Sequence, residues 1–265
     1  MNIFIREMKA HRKSLIFWCL GMVIMVMTQM SKYVTLSANG QSITKLMSAM
    51  PKSLQAIIGS GSFDLSKASG YYGMIFIYLA LIATIHASML GADIISKEER
   101  DKTSEFLFVK PVSRNRIVTA KLLAALLNIS ILNIVTLISS IAIAGKYSKG
   151  EPLTWVIVNL MIGMFALQLI FMFIGTCLAA VSKNPKSASS LATGILLATY
   201  VLYNVIELNS KLEGLKYLTP FKYFDAKNLI SSVGFESVFV ILSGLIIAVL
   251  LSMTYVFSRK RDLNV

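Results

Sequence analysis

Six apolar runs divide this chain, at about residues 15–30, 71–95, 117–144, 153–182, 187–206 and 235–257, and most are long enough to cross a bilayer as a helix. In hydrocarbon every backbone N–H and C=O must be satisfied within the chain, so only helices and closed barrels span. Long continuous runs without strict alternation point to helices. The chain has 265 residues, 55% hydrophobic and 15% charged, with a mean hydropathy of +0.69. That is more apolar than soluble domains are. The third run, at about 28 residues, would make a helix of about 42 Å. It must tilt or begin below the bilayer, with Lys121 reaching back to the surface.

The formal net charge is +13. In a soluble protein that would suggest nucleic acid, but no basic patch here is interleaved with aromatics, and no nucleic-acid partner is expected. Lys and Arg collect instead at span ends. With the N-terminus inside, sixteen of the 26 fall on the cytoplasmic side and ten outside. Both termini are therefore expected in the cytoplasm. Residues 1–14 carry Arg6, Lys9, Arg12 and Lys13 with Phe4, Ile5 and Met8 at helical spacing, the pattern of an amphipathic helix on the cytoplasmic surface. A signal peptide would need a small-x-small cleavage site, which Leu36-Ser37-Ala38 does not supply. Cys19, Cys177, His11 and His86 are scattered, so neither a disulfide nor a metal site is expected. Gly59-Ser60-Gly61-Ser62 lacks the Gly-Lys-Ser/Thr ending of a phosphate loop, so the chain is not expected to hydrolyse ATP alone.

Between the second and third runs lies a segment dense in both signs of charge, residues 96–116. A short helix over about 97–108 places Glu98, Lys102 and Glu105 on one face, with Asp101 beside them and Phe106 and Leu107 at its apolar end. Pro111 stops it and disfavours helix at Lys110. In the second run Ala83, Ala87 and Gly91 recur every four residues, as do Ser88, Ala92 and Ser96, a spacing that lets another helix approach closely in lipid. His86 and Asp93 are ionisable groups in that run; His86 is read as a hydrogen-bonded structural residue. The fifth run is rich in small residues, Ser189 and Thr193 among them, before Tyr200, Tyr203 and Asn204. Asn128 and Asn133 are placed to hydrogen-bond between helices, and the aromatics of residues 218–224 suggest a short helix at the outer interface.

Glu98 and Glu99, Thr103, Glu105-Phe106-Leu107 and Pro111-Val112-Ser113-Arg114 together resemble the cytoplasmic signature of ABC-2 type transporter permeases. Lys102 stands where that family often has Gly. Leu54 to Gly59, Ser69-Gly70-Tyr71 and Leu218-Thr219-Pro220-Phe221-Lys222-Tyr223-Phe224 resemble further elements of the family. The resemblance implies an all-α membrane protein of one domain over residues 1–265. It would have six transmembrane helices, an N-terminal amphipathic helix, a cytoplasmic coupling helix between spans two and three, and short outer helices before span six. It implies that Glu98, Glu99, Arg100, Asp101, Lys102, Thr103, Glu105, Phe106, Leu107 and Pro111 contact an ABC ATPase subunit, present in two copies. A second permease copy or a paralogue would complete the assembly in the cell membrane, the bacterial cytoplasmic membrane being the expected one. No cofactor is expected on this chain; ATP and Mg belong to the ATPase. Ala83, Ala87, Gly91, Ser189, Thr193, Tyr200, Tyr203 and Asn204 would serve helix packing or the transport path. The spans hold few charges, which suits a peptide, drug or lipid-like substrate, and export is the direction the family implies.

Two other readings fit less of the chain. Glu98-Glu99 resembles the start of the E-E-x-x-x-R motif of intramembrane proteases, but Thr103 stands at the arginine position, and Gly91-Ala92-Asp93 is not G-x-G-D. A channel would repeat polar or charged rings along its spans, and none is visible; a membrane scaffold without an ATPase partner is the remaining alternative.

Overall fold

A computed structural model describes residues 3–38, 49–51, 63–65, 67–101, 113–148, 150, 152–182, 184, 187–231 and 234–260, with side chains of α1 described from residue 3 to 33. Eight α-helices occur among them: α1 (Ile3–Ala38), α2 (Ala68–Arg100), α3 (Arg114–Tyr147), α4 (Leu153–Val181), α5 (Ala188–Leu208), α6 (Pro220–Tyr223), α7 (Ala226–Ile230) and α8 (Ser237–Lys260). A 3-10 helix, Ser210–Leu218, precedes α6. Six of these helices (α1 to α5 and α8) are long and apolar enough to cross a membrane, and no strand occurs among the described residues.

The helix ends follow local chemistry. Ser113 Oγ accepts from the Arg116 amide and starts α3; Asp225 accepts from the Lys227 amide and starts α7. Pro220 occupies the first turn of α6, where its missing N–H costs nothing. α4 stops at Val181, four residues before Pro185. Residues 3–14, expected as a helix on the membrane surface, are instead the first turns of α1 and run unbroken into the first span.

Two helices form the centre. In their most apolar windows α2 is 67% buried and α4 56%, against 22% for α1, 22% for α5 and 17% for α8. The centre is made by glycine. A Cβ on Gly91 would stand 2.2 Å from the Met172 carbonyl oxygen, and one on Gly175 would stand 2.3 Å from that of Ser88. The two backbones therefore touch with no side chain between them. Beside this seam Ala92 of α2, Ala179 of α4 and Ala188 and Ala192 of α5 form a small-residue cluster. α1, α5 and α8 turn large apolar side chains outward, including Phe17, Leu20, Val201, Ile241 and Leu245.

The bundle thus has two ends, identified here by Arg6 and by Lys222. At the Lys222 end the short helices insert into the bundle. Phe221, Tyr223 and Phe224 are buried. Phe221 meets Phe171 of α4 and Tyr200 of α5, both at 5.3 Å between ring centroids, and Tyr223 stacks on Phe239 of α8 at 5.0 Å. The reason is geometric: Gly163 leaves room for Leu229 and Phe224, and Gly73 for Ile230.

Candidate functional site

The last turns of α2 carry Asp93, Lys97, Glu98, Glu99 and Arg100, and Asp101 caps the helix. Two residues of α1, Arg6 and Glu7, meet this end. Arg6 Nη2 donates to Glu98 Oε1 at 2.7 Å and to Glu7 Oε1 at 3.2 Å. Lys97 Nζ lies 3.5 Å from Glu7 Oε2, and His11 Nε2 lies 3.9 Å from the same oxygen, ion-pair rather than hydrogen-bond distances. From α3, Lys121 Nζ donates to Glu98 Oε2 and, at 2.7 Å, to the Ile94 carbonyl one turn earlier on α2. Glu7 is 0%, Lys121 4% and Glu98 5% exposed. Burying a charge is costly unless it is paired and hydrogen-bonded, so this cluster holds only while all three helices are in register. Beyond it, Arg100 pairs with Asp93 and Asp101 at the exposed surface.

Glu98, expected among the ATPase-facing residues, is therefore turned into the bundle, while Arg100 and Asp101 are exposed and Glu99 is half-buried. Lys121, expected to reach out to the surface, reaches inward because Glu98 and a helix carbonyl satisfy it there. Lys102, Thr103, Glu105, Phe106, Leu107 and Pro111 lie outside the described residues.

Ala83 and Ala87 are fully buried and Gly91 sits in the α2–α4 seam. The sequence reading did not name Gly175 or Ala179, which complete that seam from α4; their spacing in an evenly apolar run was the available signal. On α5, Thr193 donates to Ser189 O and Asn204 to Tyr200 O, bonds within their own helix. Tyr203 is 6% exposed and, with Tyr200, joins the Phe221 cluster. Asn133 bonds across to Gln168 at 3.1 Å and to the Met161 carbonyl of α4 at 3.2 Å, and Asn128 reaches Met8 Sδ of α1 at 3.2 Å. His86 is buried against Trp18 at 5.1 Å, and its Nδ1 has no hydrogen-bond partner among the described residues.

At the other end a cavity of about 370 Å³ is lined by charges of both signs, Glu207, Lys216, Lys222, Asp225, Lys227 and Glu236 among them. Lys222 bridges Glu207 and Asp225, at 3.0 Å to the latter, and lies over the Tyr203 ring. Burial alone would lower its pKa; the two carboxylates outweigh that and hold it above the ordinary lysine value.

The sequence profile of a family described as ABC-2 family transporter protein matches residues 1–263. No curated protein matches the chain.

Proposed function

This chain belongs to the ABC-2 family of transporters, and on that premise we propose that it couples ATP hydrolysis on a separate ATPase subunit to export of an amphipathic or hydrophobic substrate. Family membership makes it the membrane-spanning transport subunit of an ABC transporter, a multi-pass protein that works with an ABC ATPase. The finer assignments are ours. The Arg6 end faces the cytoplasm of a bacterial cell, two copies of the chain sit above two ATPase subunits, and ATP and magnesium are bound by those partners.

The observation that carries the proposal is the family match over residues 1–263 together with the charged end of α2, which delivers the chain at Asp101 directly to residues 102–112. Glu99, Arg100, Asp101, Lys102, Thr103, Glu105 and Pro111 set the register of the ATPase contact, and Phe106 and Leu107 anchor it. The substrate class rests on the apolar faces of the spans, which offer few ionic contacts. ATP closure of the ATPase pair shifts the permease between two arrangements through differential binding.

The test is purification of the wild type and of the Glu105→Arg, Leu107→Asp double variant from its native membrane in detergent, with ATPase activity assayed on what accompanies each. The wild type is expected to bring down an ATPase and the double variant to lose it. A wild type that brings down none, across several detergents, sinks the coupling reading.

A further inference from the structure

Adjacent residues of opposite sign face each other across α1 and α2. Arg6 of α1 pairs with Glu98 of α2 at 2.7 Å, and Glu7 of α1 pairs with Lys97 of α2 at 3.5 Å. In chain order each helix carries plus then minus, and because the helices run antiparallel the opposite signs meet. A one-residue slip that brought Arg6 opposite Lys97 would set two cations together and leave Glu7 opposite Ser96, so both pairs would be lost. Lys121 of α3 closes the set by donating to Glu98 and to the Ile94 carbonyl. The Glu98 and Lys121 side chains are 7% and 5% exposed. Stability does not explain such a set, because well-packed apolar residues of similar volume serve a buried site as well or better. What the ions supply is register.

We propose that Arg6, Glu7, Lys97, Glu98 and Lys121 form a register lock that makes α1 and α3 follow the end of α2 during the transport cycle. The proposal rests on the reading of residues 102–112 as the ATPase contact. The lock lies directly upstream of that contact: Glu98 is four residues before Lys102. Through it, a displacement of the end of α2 is shared with α1, whose other core residues, Leu15, Met22, Val26, Met30 and Tyr33, lie further along the helix. These are positioning residues; none of them need touch substrate or nucleotide.

The experiment reads α1 at its opposite end. Ser31 is exposed there, and Ser31→Cys is introduced with Cys19→Ala and Cys177→Ala. The permease–ATPase complex is labelled with a maleimide, with and without ATP plus orthovanadate. In the lock-intact protein and in Arg6→Lys, nucleotide is expected to change the labelling rate about fivefold or more, the low end of typical coupling between sites. In Arg6→Gln the ratio is expected to fall to about one, while the ATPase still co-purifies and hydrolyses ATP at its former rate. Glu98→Gln is expected to lose the ratio as well. If Glu98→Gln does not accumulate, Arg6→Gln alone decides, since it leaves the Lys121–Glu98 pair in place. An Arg6→Gln protein with the full nucleotide response overturns the lock, and so does one that loses the response only because the ATPase no longer binds. Absence of any nucleotide response in the lock-intact complex overturns the parent reading instead.

Discussion

Gly91→Ala should destabilise the centre of this protein by forcing two helix backbones apart. The added Cβ would stand 2.2 Å from the Met172 carbonyl oxygen, 3.0 Å from its carbon and 3.2 Å from its Cα. Carbon–oxygen contacts settle at about 3.3–3.6 Å even when weakly hydrogen-bonded, so α2 and α4 must part by about 1 Å. A gap of that size forfeits roughly a quarter to a half of each van der Waals well along the crossing. The obstacle is backbone, which has no rotamer to yield. Overpacking of this kind costs about 1–3 kcal/mol. Gly194→Ala is the control, because its Cβ meets nothing within 4 Å. It should be neutral or gain up to about 1 kcal/mol from helix propensity. The two variants should thus differ by about 1–4 kcal/mol. Thermal unfolding in one detergent, followed by size-exclusion chromatography or intrinsic fluorescence, should place Gly91→Ala on the order of 5–10 °C below Gly194→Ala. Gly175→Ala should behave like Gly91→Ala, since its Cβ would lie 2.3 Å from Ser88 O and 2.9 Å from Ala92 N. The double variant should cost less than the sum, because one separation of the helices relieves both clashes. Equal melting temperatures for Gly91→Ala and Gly194→Ala would refute the backbone-contact seam.

Lys121→Met takes one cation from the buried Glu98 carboxylate while Arg6 stays beside it, so it should destabilise by less than the roughly 3–5 kcal/mol of a buried charge left alone, and adding Glu98→Gln should recover much of the loss; thermal melts of the two decide it. Asn133→Leu removes the bonds to Gln168 and Met161 O and should cost no more than about 1–2 kcal/mol, as hydrogen bonds between membrane helices usually do; a loss well above this would show that Asn133 does more than bridge α3 and α4. Lys222 has a raised pKa, so the stability from its pairing is fully present below its unfolded value near 10.5 and fades as pH rises through the higher folded value. The melting gap between wild type and Lys222→Met should therefore stay constant from neutral pH to about pH 9 and shrink only at more alkaline pH; a gap that closes between pH 6 and 8 would mean that another group controls the site.

Hydropathy alone made the six spanning helices legible, because an apolar run of that length has few other fates in water or lipid. Gly91, on the α2 side of the seam, was also legible, since it ends a repeat of small residues at helical spacing with Ala83 and Ala87. The identity of the partner helix was not: the small residues of span five drew attention, and Gly175 of span four makes the closest approach. Sequence spacing shows that a groove exists, and only tertiary packing decides what fills it. The inward turn of Glu98 and Lys121 was illegible for the same reason. Each is an ordinary surface residue at a span end until Arg6, 92 positions away in the chain, is brought beside them. The short helix over Pro220–Tyr223 was legible from its aromatics and proline, whereas the burial of those aromatics was not, because Gly73 and Gly163 on distant helices open the space that admits this segment and the next.

The uneven burial of the helices has an evolutionary consequence. Phe17, Ile241 and Leu245 are 75%, 64% and 59% exposed on outer helices, where another apolar side chain of similar size would serve against a lipid tail. Drift there changes letters without changing physics, so descendants of one ancestor can come to share little spelling over most of their length. Gly91 and Gly175 have no such synonyms, since every other residue brings a Cβ into a neighbouring backbone. The memory of common descent in such a chain should be kept longest by its smallest side chains.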